Sequence, residues 1–546
     1  MTNSLANSSA LIIDDFHGMR TMLKDFVKAM GVKTIDSAAN ARDAISALRS
    51  KHYDIVLCDF NLGPGRNGLN ILEEAKVRKY IGYSTIWVMI TAEKSMAMFM
   101  GAAEIKPDDY LLKPFNGKML EARLNRQIEK RRSLRPIEDA VAAQNYLDAI
   151  SLCDEQLSRE SRNTQDLLRI KSELLMTIGD LTAARALFEE VLALRSVPWA
   201  KTGLGKTYFL DHDLPRAKEI FQEVLSENRM YLEAADWLAK TLEELGDTVA
   251  AQQVLQNATS LSPNTAARQK TLGDIAFKNG AVDLAQEAYE AAIKHNEDSV
   301  LKNPDSYAGL AKVLIDKGAA GDAVKILDNC RQQFKDEPEA LLQAAMIESS
   351  AYQKLGQPEK AALAVAEAEK LMAGMSGTAG ARITIDMAKL QFQRGEKDKA
   401  MDLLGSVVKN NHEDAEILKQ VSAVFSQEKL GEAGAAMINE LTQEVVNVNN
   451  QGVRLASAGK FEEGSLLLRE AIKTLPNNAT LLTNLCGMLL GLMYKNGGGE
   501  QQTAEIRELL ERVRKINPFN AKYQEYLKSL DRFESRQRGA VRADRE

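Results

Sequence analysis

A small side chain returns along most of this chain at a nearly constant interval. Ala149, Ala184, Ala217, Ala251 and Ala285 are 35, 33, 34 and 34 residues apart, and Ala323, Ala361 and Ala400 follow at steps of 38, 38 and 39. Five residues before this position stands a glycine, at Gly179, Gly246, Gly280, Gly318, Gly356, Gly395 and Gly459, and Gly464 continues the small position more weakly. Four residues after it stands a larger apolar side chain: Phe188, Phe221, Leu255, Tyr289, Leu327, Val365, Leu404 and Leu468. A period in this range marks an array of supersecondary units rather than one core. Each unit reads as a helix, a tight turn and a second helix whose small residue admits the first, and each pair buries its apolar face only against its neighbours. The 64 residues between Ala400 and Gly464 imply one degenerate unit.

With 546 residues the chain exceeds the roughly 250–300 residues at which single cores stop growing, so domains or an array are required. The formal net charge of −6 gives no bulk basic surface for nucleic-acid phosphates. The four cysteines, Cys58, Cys153, Cys330 and Cys486, form no CxxC pair, which suggests neither a disulfide framework nor a zinc site and fits a reducing compartment. MTNSLANSSA has no basic start or apolar core, so no secretory signal is expected. The longest apolar stretch, residues 481–494, falls short of the ~20 residues of a membrane span and contains Thr483 and Asn484, so a buried helix and a cytoplasmic protein are expected.

The first 130 residues have another texture. Apolar runs at 10–14, 32–38, 54–60, 85–91 and 109–113 alternate with amphipathic segments. Continuous apolar runs are typical of strands buried on both faces, so a five-stranded, doubly wound parallel sheet is predicted, followed by an all-α helical-repeat solenoid. Sites in such sheets lie beyond the carboxyl ends of the strands. Those ends carry Asp14 and Asp15, Asp59, Thr91, and Lys113 with Pro114. Three converging carboxylates repel one another unless a hard cation such as Mg²⁺ binds them. With that cation bound, Asp59 can attack phosphorus to form an acyl phosphate, while Lys113 and the Thr91 hydroxyl can bind phosphoryl oxygens.

On IIDDFHGMR, CDFNLG, MITA and YLLKPF, residues 9–130 resemble the response-regulator receiver domain of two-component signalling, with its flavodoxin-like fold. The resemblance implies phosphoryl transfer to Asp59 from a histidine kinase or phosphotransfer protein. It also implies Mg²⁺ ligation by Asp14, Asp15, Asp59 and the backbone carbonyl of Asn61, and a cis bond before Pro114. Tyr110 takes the aromatic switch position, and Asn61 and Glu93 take the positions that tune dephosphorylation, with quick self-hydrolysis expected. The loop after Asp59 is glycine-rich and one residue longer than the common form, with its proline at Pro64. The repeats resemble the tetratricopeptide repeat, which implies protein partners in a concave groove.

The expected organisation is therefore a flexible start (1–8), a receiver (9–130), a helical linker (131–137), TPR-like repeats (138–480), C-terminal helices forming a degenerate repeat or cap (481–532) and a flexible tail (533–546). Alone, an aspartate pair after a strand is more often a helix cap than a metal site; the joint placement of the four motifs favours the site. His17 is expected to face solvent, Cys58 to pack, Met96, Met98, Phe99 and Met100 to fill core space, and Trp199, Trp237, Tyr208 and Tyr231 to pack between helices. The basic run 123–135 reads as a solvated helix face, and nucleic-acid binding is disfavoured because no stacking aromatics accompany it. The function expected is a non-enzymatic response regulator in which phosphorylation of Asp59 controls protein binding by the repeats, a homodimer through the receiver face being left open. A transcription regulator, and a phosphate sink whose partner binding ignores phosphorylation, are the alternatives.

Overall fold

Five short segments near the N-terminus, the central ones rich in Ile, Val and Leu, form β1 (Ser9–Ile13), β2 (Thr34–Ala38), β3 (Ile55–Asp59), β4 (Ile86–Thr91) and β5 (Asp109–Leu112). They pair in parallel in the order β2-β1-β3-β4-β5, as the computed structural model shows for a chain described at residues 5, 8–63, 65–92, 107–159, 163–297, 299, 302–375, 378–497 and 499–543. Alternate side chains leave the sheet on opposite faces. Ile12, Leu57, Val88 and Ile90 pack on one face with α1 (His17–Ala29) and the N-terminal half of the long helix after β5. Leu11, Ile13, Val56, Trp87 and Met89 pack on the other with α2 (Ala41–Ser50) and α3 (Gly68–Val77). β1, β3 and β4 are covered on both faces, which is why they read as continuous apolar runs, whereas the edge strands β2 and β5 are only partly buried.

The helix ends arise from side-chain chemistry. Asn40 accepts from the Asp43 amide at the start of α2, Asn67 and Asn70 form a reciprocal capping box at α3, and Gly31 stops α1 with φ 96°. Glu93, Met96, Met98, Phe99 and Met100 lie within 93–106, outside the described residues, as does Pro64. The next helix described, α4 (Gly117–Ala142), is 26 residues long. It runs unbroken through residues 131–137 although Pro136 removes one of its backbone donors. Its C-terminal half, α5 (Tyr146–Ser158) and α6 (Thr164–Thr177) form the first helical layer of the array.

The described residues divide into two compact units, residues 1–174 with 182–313, and 175–181 with 314–546. In both, the repeated small residue is where the helices meet: Ala149, Ala184, Ala217, Ala251, Ala285, Ala323, Ala361 and Ala400 are all buried. The turn glycines five residues earlier all adopt positive φ, from 67° at Gly356 to 82° at Gly246. Gln144, His212 and Lys429 hold the same conformation at φ 59°, 60° and 59° in turns that have no glycine. Lys429 marks the degenerate unit, made by helices Ala415–Gln427 and Gly431–Ser457, with Gly434 as its small residue. A Cβ on Gly434 would come within 2.3 Å of the Phe425 ring. The apolar stretch at 481–494 lies in helix Ala479–Asn496, where Asn484 is buried and bonded to Asn449 and Lys522. Among the described residues no helix is long and apolar enough to cross a membrane.

Candidate metal and phosphoryl site

The strand order reverses between β1 and β3, and the acidic residues stand there. Asp14 comes just after β1 and Asp59 ends β3, so neighbouring strands bring them together. Carboxylate oxygens of Asp14, Asp15 and Asp59 lie within 4.8 Å of one another; Asp14 is wholly buried, Asp59 is buried and Asp15 is exposed. Lys113, just past β5, places its Nζ 2.8 Å from Asp59 Oδ2 and 3.3 Å from Asp14 Oδ2. Thr91, buried at the end of β4, lies next to β5, its carbonyl accepting the Lys113 amide at 2.8 Å. Four strand ends thus deliver the residues singled out from the sequence, and the Lys113-Pro114 peptide is cis as expected.

Charge is unbalanced at this point. Three carboxylates face one ammonium, a net charge of −2. Burial raises the Asp59 pKa above its ordinary value, the Lys113 ammonium opposes that rise and the neighbouring Asp14 adds to it. Burial works to lower the Lys113 pKa, but its hydrogen bond to Asp59 and the two carboxylate charges outweigh this and raise it. The two causes differ: burial dominates at Asp59, whereas the paired carboxylates dominate at Lys113. The site's hard oxygen donors fit a divalent cation such as Mg²⁺.

Backbone geometry keeps the carboxylates in place. Asp14 Oδ1 accepts the Phe16 amide at 2.8 Å. Arg20, the nearest cation in sequence, does not neutralise the pair; its Nη1 donates to the carbonyls of Asp14 and Asp15 at 2.7 and 2.9 Å. The carboxylates are thereby left for other partners. Asn61 sits in the loop after β3, where its side chain accepts the Gly63 amide at 3.2 Å. Gly63, at φ 85°, passes beside Asp15, and a Cβ there would be 3.8 Å from Asp15 Oδ2. At Gly68 a Cβ would stand 2.3 Å from the Asp59 carbonyl, so α3 approaches β3 only because that residue is glycine. Arg20 and Gly68 carry no motif signal in a single sequence, since their partners are backbone atoms. Tyr110 is half-buried on β5, and burial pushes its phenol pKa up. Cys58 is fully buried in the core with its thiol pKa raised by burial, and His17 is exposed, as expected for both.

Residues 10–125 match the family model of the response regulator receiver domain, and residues 270–333 match that of the tetratricopeptide repeat. The N-terminal domain is a response-regulator receiver. Chemotaxis protein CheY-3 of Vibrio cholerae is 28% identical to the receiver over 124 residues, which cover 23% of this chain and 94% of that protein. Chemotaxis protein CheY of Pseudomonas aeruginosa is 27% identical over 120 residues, 22% of this chain and 95% of its own. The solved structure of a tetratricopeptide repeat protein from Parabacteroides merdae, 16% identical, covers 48% of this chain and 98% of its own at a TM-score of 0.38. The whole chain is thus a receiver followed by a helical-repeat region, an architecture typical of signalling and adaptor proteins.

Proposed function

We propose that the receiver takes a phosphoryl group onto Asp59 from a histidine kinase or phosphotransfer protein and that this controls protein binding by the repeats. In this reading Asp59 Oδ attacks phosphorus; the bond from phosphorus to the donor imidazole nitrogen breaks, and the imidazole leaves with a proton. Asp14, Asp15, Asp59 and the Asn61 carbonyl would hold Mg²⁺, which supplies the charge that lets a phosphoryl oxygen approach three carboxylates. Lys113 stays between Asp59 and Asp14 and binds a second phosphoryl oxygen, and the Thr91 hydroxyl binds a third. Tyr110 then responds to Thr91 across the β4–β5 pair. Asn61, two residues past the phosphoacceptor, acts with Glu93 to set the rate of self-hydrolysis.

The chemistry ends there, so the protein is a cytoplasmic signalling adaptor rather than an enzyme with an external substrate. The switch occupies residues 9–130 and the partner-binding array residues 138–480, closed by 481–532. The observation that carries this reading is Lys113 Nζ bridging Asp59 and Asp14 inside a cluster that remains net negative. Incubation with a small-molecule phosphoryl donor and Mg²⁺, followed by intact mass, tests it. A gain of one phosphoryl group is expected, absent without Mg²⁺ and absent in Asp59→Asn; the same gain in Asp59→Asn would overturn the assignment.

A further inference from the structure

The receiver does not end at a free linker. At the amino ends of β4 and β5, opposite the acidic site, it is fastened to the first helical layer of its own array. Asp108 makes the fastening. Its amide donates to the Trp87 carbonyl at 2.9 Å, and its Oδ2 accepts the Trp87 amide at 2.7 Å, closing the β4–β5 pair at that end. Its Oδ1 forms an ion pair with Arg131 of α4. Arg131 Nη1 also donates to the Tyr83 carbonyl at 2.5 Å. Seven residues on, and so on the same side of the helix, Glu138 Oε2 accepts the Ser84 amide at 2.7 Å. Between them Leu134 and Ile137 are buried against Ala149 and Cys153 of α5 and Leu167 and Ile170 of α6, and Tyr83 of the receiver packs on this cluster.

One helix therefore touches the receiver and the array at once, Leu134 standing between Arg131 and Glu138 and packing with Tyr83 on the α5–α6 cluster. The strands that meet it at their amino ends are those whose carboxyl ends carry Thr91 and Lys113, hydrogen-bonded to each other across the pair. β4 and β5 stay in register from Val88 opposite Asp109 to Thr91 opposite Leu112. Backbone hydrogen bonds thus tie the two strands together from Thr91 and Lys113 at one end to Trp87 and Asp108 at the other, a path along which a shift at the acidic end would be carried. We propose that Asp108 is the positioning residue that transmits the state of Asp59 to the first repeat layer, through Arg131 and the continuous helix α4. The inference rests on the phosphoacceptor reading above and adds the route. Arg131 is only 18% exposed at the side chain, so water and salt screen the link weakly.

Hydrogen exchange on the full chain, with and without Mg²⁺ and beryllofluoride as phosphoryl mimic, tests it. Wild type should change exchange around Asp59 and Thr91 and, by about fivefold, in α5 and α6. Asp108→Asn, which keeps an acceptor for the Trp87 amide but loses the charge, and Arg131→Gln, which breaks the pair from the other side, should keep the first response and lose the second. A wild type that responds at Asp59 but not in α5 and α6 would overturn the route and leave the phosphoacceptor reading standing. An undiminished response of α5 and α6 in both variants would overturn the role of Asp108. Silence around Asp59 itself would overturn both.

Discussion

At the scale of single residues, the acidic site is a balance of like charges held in a buried place. Because burial and Asp14 raise the Asp59 pKa in the folded protein, ionisation of Asp59 costs stability. That cost is absent below the unfolded carboxylate pKa and grows in as pH rises through the higher folded value. Asp59→Asn should therefore stabilise the chelator-treated protein at neutral pH by ~1 kcal/mol and abolish stabilisation by added Mg²⁺, both read from thermal melts. Lys113 has the opposite sign. Its contribution is fully present below the unfolded lysine pKa and is lost as pH rises through its raised folded value. Lys113→Ala, which leaves Asp14 and Asp59 without their ammonium, should cost about 2 kcal/mol without metal and should cost less when Mg²⁺ saturates the site. Gly68→Ala places a methyl group against the Asp59 carbonyl and should cost about 2 kcal/mol, measurable by urea denaturation.

At the scale of elements, the left-handed residue in each helix turn decides the repeat. Lys429 holds φ 59° where glycine usually stands, so Lys429→Gly should raise the stability of the second unit by about 1 kcal/mol, while Gly246→Ala should lower that of the first by a similar amount. Urea titration followed by hydrogen exchange separates the two. The same position explains what could be read from the sequence. The central strands were visible because both of their faces are covered, and the acidic ends because parallel strands all finish on one side. Seven turns announced themselves by glycine, whereas the turn at Lys429 was hidden because a long polar side chain stands at the left-handed position and glycine has moved to the small position, Gly434. The helical linker expected at 131–137 is continuous with the receiver's last helix. Leu134 and Ile137 are buried on either side of Pro136 and keep that helix going.

At the scale of the molecule, the receiver and the first repeat layer share one helix, so neither is complete without the other. A fragment ending at residue 130 would lose Arg131, Leu134, Ile137 and Glu138 and would expose Tyr83. Truncating one buried leucine or isoleucine typically costs ~2–5 kcal/mol, so the fragment should melt well below one that extends through α6. α4 is also a phase-setting shaft. Each residue added to an α-helix turns the structure beyond it by about 100° and advances it by ~1.5 Å. Four residues inserted after Arg131 would carry the first repeat layer about 40° around and ~6 Å away, with the acidic site untouched. A family of such insertions would read out, in steps of about 100°, the orientations at which the array still responds to the proposed signal at Asp59.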